Sequence, residues 1–130
     1  MGKYVYPAVF AAEGGGYSVN FPDIDGCYTC GDDLADGIEM AEDVLALVLY
    51  QYEKDGKAVP HPSDPKDLKL NENEFVNLIA ADTIGYQKRH NTKAVKKTLT
   101  IPEWLNELAV KANINFSQVL QEALFEKLKV

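Results

Sequence analysis

The sequence predicts an α+β protein in two parts: a βββαβ sheet with one packed helix, then a separate strand-helix-helix tail. Three observations predict it. Residues 4–31 hold three short runs of strand character broken by turns rich in Gly, Pro and Asp. Apolar residues then recur at three- and four-residue steps from Leu34 to Tyr52, the spacing of one helix face. Charge divides the chain unevenly: residues 1–90 carry seven Lys/Arg against sixteen Asp/Glu, a net −9, whereas residues 91–130 carry six against four, a net +2. Such asymmetry points to two parts with two partners.

Tyr4 to Ala12 is nearly continuous apolar sequence and reads as a strand covered on both faces. Gly14-Gly15-Gly16 break it. Tyr17-Ser18-Val19-Asn20-Phe21 alternates, as a half-buried strand returning from a hairpin does. Pro22 and Gly26 bracket a turn, and Cys27 to Gly31 suits a third strand, so short connections make an antiparallel meander. Asp33 is placed to cap the next helix, with Asp36 at the capping-box position. Leu34, Ile38, Ala41, Leu45, Val48 and Tyr52 form its apolar stripe, and Asp36, Glu39 and Asp43 fall on its outer face. Gly37 costs roughly 1 kcal/mol against Ala inside a helix. Pro60, Pro62 and Pro65 make a stiff connection to Phe75–Ala81, a second buried strand expected parallel to the first because a helix intervenes. The first part is therefore residues 1–84, with a polar, basic linker over 85–94 and the tail over 95–130.

Composition sets bounds on function. Of 130 residues, 46% are hydrophobic and 25% charged, enough for a packed core. No apolar run approaches the roughly twenty residues that cross a bilayer. The start, Met1-Gly2-Lys3-Tyr4, lacks the layout of a secretory signal, and Tyr6 stands where a myristoylation pattern wants Ser or Thr; a cytoplasmic protein with no membrane partner is expected. Cys27 and Cys30 have the spacing of half a zinc knuckle or a redox pair. A zinc site needs two more ligands, and His61 and His90 lie in different segments; a redox pair needs a helix N-terminus. Residues three apart on a strand face opposite ways. Buried structural thiols are the expectation, and neither a metal nor a cofactor is called for.

In the tail, Val95, Lys97, Leu99 and Ile101 alternate with Lys96, Thr98 and Thr100. Pro102 ends that strand and opens a helix lined by Leu105, Leu108, Ala109 and Ala112. Asn113-Ile114-Asn115 turns the chain, and Ser117 is expected to cap a last helix with Leu120, Ala123, Leu124 and Leu128 along its apolar side. About 35 residues are too few to bury a core alone. Two copies solve this by pairing their strands antiparallel beneath four helices. The ribbon's other face then presents Lys96, Thr98 and Thr100 twice, on a width that the DNA major groove accepts. Backbone N–H groups near Asn115 to Ser117 are suited to a phosphate. Lys96-Lys97-Thr98-Leu99-Thr100-Ile101-Pro102 with its two helices resembles the ribbon-helix-helix repressors of the Arc/MetJ type. In that family the residues two, four and six before the proline face the bases, which here are Thr100, Thr98 and Lys96.

The front part also carries a resemblance. Tyr4-Val5-Tyr6-Pro7-Ala8-Val9-Phe10, Gly16 to Asp23, Gly26-Cys27, Gly31-Asp32 and the capped helix, taken in order over residues 3–83, resemble the HicB antitoxins. Gly37 and Cys30 depart from the usual pattern. The resemblance implies an antitoxin of a type II toxin–antitoxin pair: a front domain that covers a small basic HicA-like toxin cleaving mRNA, and a tail that binds operator DNA as a homodimer or higher even oligomer and represses its own operon. A −9 front part suits a basic partner electrostatically, and Asp23, Asp25, Asp32, Asp36, Glu39 and Asp43 are the candidate toxin contacts. The family's front domain is described as a degraded RNase H-like sheet, so a weak nuclease is one alternative. It needs three or four converging carboxylates; Glu13, Asp23 and Asp25 sit in turns, and Asp82 alone is suggestively placed. A repressor that senses a small ligand is another. No catalytic residue is expected.

Overall fold

The computed structural model describes residues 2–130; Met1, where the reading of the N-terminus begins, lies outside the described residues. The chain divides into two compact units, Met1–Thr92 and Lys93–Val130.

In the first unit, strands β1 (Lys3–Glu13), β2 (Gly16–Asn20) and β3 (Tyr28–Gly31) form the expected meander. Gly14 and Gly15, with φ of 53° and 87°, make the two-residue turn between Glu13 and Gly16. Both positions need positive φ, which is why glycine stands there. Helix α1 (Leu34–Lys54) follows, then strand β4 (Glu74–Asp82) and a short helix α2 (Thr83–His90). The sheet is four-stranded and antiparallel throughout, in the order β3-β2-β1-β4.

Two expectations are corrected here. β4 runs antiparallel to β1, not parallel, pairing Lys3 with Asp82 and Ala11 with Glu74. The cause is the Pro-rich connection. α1 spans about 30 Å and ends where β1 begins, with Glu53 beside Gly2 and Tyr4. Residues 55–73 then carry the chain back along the sheet, broken only by one 3₁₀ turn at Pro65–Asp67, so β4 enters from the far end. Tyr6 Oη donates to the Pro60 carbonyl and Ser63 to the Asp23 carboxylate, which pins that return path. Secondly, residues 85–90 are helical where the sequence suggests linker. Asp82 caps α2 by accepting from Gly85 N at 3.1 Å, and Tyr86 packs between Tyr50 (5.7 Å) and His90 (4.4 Å). The packing is tertiary, so a polar eight-residue stretch gave no periodic signal of it.

The core lies between α1 and one face of the sheet. Tyr6, Ala8 and Phe10 of β1 point to it with Val19, Ile79 and Ala81, and meet Ala41, Leu45 and Leu49. Phe10 stacks on Phe75 at 5.4 Å, and Tyr17 meets both rings edge-on. On the opposite face Pro7 is buried, but Val5, Leu78 and Tyr28 are exposed, so β1 is not covered evenly on both sides. Asp33 caps α1 as expected, accepting from Asp36 N; Asp36 in return accepts from Asp32 N, one residue earlier than a strict capping box. The buried line of α1 runs Gly37, Ala41, Leu45, Leu49, and Leu34 is exposed.

Gly37 explains that offset. A Cβ on Gly31 would stand 2.3 Å from the Gly37 backbone nitrogen, and one on Gly16 would stand 2.5 Å from the Gly31 carbonyl oxygen. β2, β3 and the first turns of α1 are therefore in backbone contact through three glycines. Gly37, a weak point by helix propensity, is where the helix meets the sheet.

In the second unit, helices α3 (Glu103–Lys111) and α4 (Phe116–Leu128) stand where the periodicity places them. Residues 95–101, expected as a strand, form none among the described residues. α3 ends in a Schellman motif: Asn113 N donates to the Val110 carbonyl and Ile114 N to that of Ala109, with Asn113 at φ 56°. The cap of α4 is Asn115, whose side chain accepts from Gln118 N at 3.1 Å. Ser117, expected as the cap, is the second residue inside the helix.

Candidate functional site

Two surfaces carry the residues that the sequence singled out. The first is the ribbon segment. Lys96, Thr98 and Thr100 are all exposed, and so are Val95 (79%), Leu99 (60%) and Ile101 (45%) between them. Neither face of this segment is covered within one chain. The helices behave likewise: neither α3 nor α4 contains a buried residue, and Trp104, Leu108, Leu124 and Leu128 stand open to solvent. Trp104, Val119 and Phe125, absent from the sequence-based stripe, extend the apolar surface. Counting only residues at i+3 and i+4 from Leu105 and Leu120 missed them. That is a large exposed apolar surface for a 38-residue unit.

At the start of α4 the first-turn N–H groups of Phe116 and Ser117 have no intrahelical acceptor, because no turn precedes them. Asn115 turns its own carboxamide to the Gln118 N–H. Its side chain is thereby engaged in holding the helix start rather than free to reach a ligand.

The second surface is acidic, and the structure sorts its six candidates. Asp23 is half-buried and holds Ser63 by both N–H (2.9 Å) and hydroxyl. Asp36 is engaged in the α1 cap with Asp32 and Asp33. Both have structural work: that of Asp36 matches its capping-box position, whereas the partner of Asp23 lies forty residues away and leaves no sequence pattern. Asp25 and Asp32 are exposed in turns. Glu39 and Asp43 share one groove of about 850 Å³ with Glu42 and Asp82, beside Met40, Val5 and Ala80. Glu42 was missed although it stands one turn from Glu39. Lys3 and Arg89 also line the groove, leaving it with an acidic excess.

The carboxylates that a nuclease would need do not gather. Glu13 is at the end of β1, Asp23 faces Ser63, and Asp82 caps α2. Among the described residues no three His, Cys, Asp or Glu side chains group closely enough to hold a metal ion. Cys27 is buried, and burial pushes its thiol up to about 11. Cys30 is exposed, against the expectation of two buried thiols; the parity that separates the pair on the strand sends the second one outward. Among the described residues no helix is long and apolar enough to cross a membrane.

One part-buried junction ties the first unit together. Glu53 Oε2 accepts from Tyr4 Oη at 2.6 Å and from Gly2 N at 3.2 Å. The hydrogen bond to Glu53, reinforced by burial, pushes the Tyr4 phenol up to about 12. Burial works to raise the Glu53 carboxyl, but hydrogen bonds from Tyr4, Thr83 and Gly2 outweigh it and hold the group below its ordinary value.

An antiparallel sheet with two packed helices and an acidic groove, followed by a separate helical unit, makes a small two-unit α+β protein. Residues 6–118 match the family model of HicB-like antitoxins of bacterial toxin–antitoxin systems, and the chain belongs to that family. Antitoxin HicB 2 of Photorhabdus laumondii is 36% identical over 58 residues, 45% of this chain and 42% of that protein. An uncharacterized 14.9 kDa protein from the rep-hol intergenic region of Haemophilus phage HP1 is 26% identical over 102 residues, 78% of this chain and 75% of its own. Among solved structures, a chain of a toxin–antitoxin complex from Streptococcus pneumoniae superposes with a TM-score of 0.64 at 26% identity, covering 96% of this chain and 99% of that one. A chain of the HicA3 and HicB3 toxin–antitoxin complex superposes at 0.51 and 29% identity, over 61% of this chain and 99% of that one.

Proposed function

We propose that this chain neutralises a small basic HicA-like toxin that cleaves mRNA, through its first unit, and represses its own operon by binding operator DNA through its second. The division 1–84 and 95–130 follows that split, with residues 85–94 between them and α2 packed on the first unit. The protein works in the cytoplasm and acts as a binding regulator rather than an enzyme, a reading supported by its membership of the antitoxin family.

For the toxin, the supporting observations are membership of the antitoxin family and complexes among its structural neighbours. The net −9 of the front residues adds a physical reason, since complementary charge speeds capture.

The observation that carries the DNA half is the uncovered tail. Leu99 and Ile101 share a strand face, Trp104, Leu108 and Leu124 are open on the helices, and the segment 95–101 has no strand to pair with. A second copy supplies both the missing strand and the missing cover, making the ribbon-helix-helix dimer. Lys96, Thr98 and Thr100 then lie on its groove-facing side. Lysine reads guanine edges, and threonine offers a hydroxyl and a methyl for thymine. Phe116 and Ser117 N–H groups take a phosphate at the helix start, with Asn115 positioning that turn.

Two assays test the two halves. Co-expression with the HicA-like toxin should restore growth that the toxin alone arrests; continued arrest at matched expression refutes the antitoxin role. A gel-shift titration should show a complex with DNA from upstream of the operon that random DNA does not match, and equal affinity for both would refute operator recognition.

A further inference from the structure

β4 is the outermost strand on its side of the sheet. Two hydrogen bonds at its ends settle which of its backbone groups are already paired. Ala12 N donates to the Asn73 carbonyl at 3.2 Å, and Thr83 N to the Gly2 carbonyl at 2.7 Å. Both pairs continue the register that sets Lys3 against Asp82 and Ala11 against Glu74. In an antiparallel ladder hydrogen-bonded and non-hydrogen-bonded pairs alternate. The odd-numbered residues of β4 therefore bond to β1. Val76, Leu78 and Ala80 direct their N–H and C=O groups away from it, toward the open edge.

Edges are usually blunted by proline, lysine, a bulge or shortness. β4 is nine residues long, its pairing with β1 is unbroken, and nothing between Glu74 and Asp82 is charged or proline. Leu78 is 57% exposed on it, and across β1 so is Val5 at 51%. The acidic groove with Glu39, Glu42 and Asp43 opens beside the end of the same strand.

A second copy of the chain is a poor occupant. Pairing two β4 strands antiparallel about Leu78 sets Glu74 of each opposite Asp82 of the other, and like charges directly opposite are destabilising. It would also bring two acidic grooves together. We infer that the open edge of β4 takes an extended, Lys- or Arg-flanked segment of the protein partner as a fifth strand, with the acidic wall of α1 selecting its charge. Main-chain hydrogen bonds from Val76, Leu78 and Ala80 hold the segment, as in other strand additions. This rests on the reading of the partner as a HicA-like toxin and names the place where it docks.

Amide hydrogen exchange by NMR on the full chain, free and bound to the purified HicA-like toxin, tests the inference. The Val76, Leu78 and Ala80 amides should exchange fast in the free chain and slow by at least about tenfold in the complex, the effect of one hydrogen bond each, while Ile79 stays protected in both. Leu78→Pro removes an outward N–H without touching the β1 ladder. It should weaken toxin affinity by about tenfold and leave operator binding unchanged. If the complex forms but the three amides exchange as before, the edge is not the dock, although the antitoxin role stands. Protection of those amides in the free chain that grows with its concentration means a second copy sits there, which also overturns the inference. Failure of the wild-type chain to bind toxin at all removes the functional reading and this one together. Should Leu78→Pro misfold, the wild-type exchange pattern still decides.

Discussion

Gly31 and Gly37 face each other across the junction of β3 and α1, and adding one methyl group to each should have opposite consequences. In Gly31→Ala the new Cβ stands 2.3 Å from the Gly37 nitrogen and 2.5 Å from its Cα. Both obstacles are backbone, so no rotamer change relieves the clash. α1 must retreat by about 1 Å to reach ordinary contact, and overpacking of this kind costs about 1–3 kcal/mol. The upper end applies, because the retreat loosens Ala41 and Leu45 as well. In Gly37→Ala the Cβ meets only the Phe10 ring edge at 3.4 Å and the Tyr17 Cβ at 3.8 Å. That is ordinary packing, and replacing a helix-interior glycine with alanine gains about 0.5–1 kcal/mol. The expected result is that Gly31→Ala melts well below wild type, by roughly 10 °C at about 4 °C per kcal/mol for a domain of this size, while Gly37→Ala melts at or slightly above it. Thermal melts at one fixed protein concentration are the assay, since a dimer's midpoint depends on concentration. Equal melting of Gly31→Ala and wild type, or a larger loss at Gly37→Ala, refutes the glycine contact.

The remaining predictions concern titration and the tail. The Tyr4 phenol is raised in the folded chain, so its contribution is complete below the ordinary tyrosine value of 10.0 and is lost as pH rises toward about 12. Urea midpoints should therefore fall between pH 10 and 12 by more in wild type than in Tyr4→Phe; parallel curves would mean that the Tyr4–Glu53 bond does not contribute, with Tyr6, also raised by burial, supplying the residual slope. Glu53 has the reverse sign: held below its usual value, it stabilises above the carboxylate range and loses that effect as pH falls through its folded value, so Glu53→Gln should flatten the acid limb. In the tail, Thr98→Ala should cost about 1–3 kcal/mol on the operator and little on random DNA, with the dimer intact. Leu99→Ala should instead lower the dimer's melting point, because a strand's two faces are distinct. The reverse outcome in gel shifts and melts would show that the faces are exchanged.

How much of this was legible in the sequence follows from what each signal measures. Apolar runs bounded by turns located β1, β3 and β4, and period-2 and period-3.6 patterns located β2, α1, α3 and α4, all within a residue or two. The pattern carries no direction, so the orientation of β4 depended on the path of residues 55–73, which is set by long-range bonds such as Ser63 to Asp23. α2 was lost for a related reason: its stability comes from the Asp82 cap and the Tyr50–Tyr86 contact, not from an apolar stripe. Of the acidic candidates, type and position could not separate Asp23, whose partner Ser63 is forty residues away, from Glu39 and Asp43, which line the groove, whereas the capping-box position did mark Asp36. The choice of Lys96, Thr98 and Thr100 rests on alternation and the ribbon-helix-helix resemblance, since residues 95–101 form no strand among the described residues.

The central claim is that the full chain switches off a basic mRNA-cleaving partner. Its most direct test is a titration of this chain into a fixed amount of purified HicA-like toxin, following cleavage of an mRNA substrate. Cleavage should fall in proportion to added chain and stop near equimolar protomers. Cleavage that persists when the chain is in large excess, with both proteins folded, contradicts it.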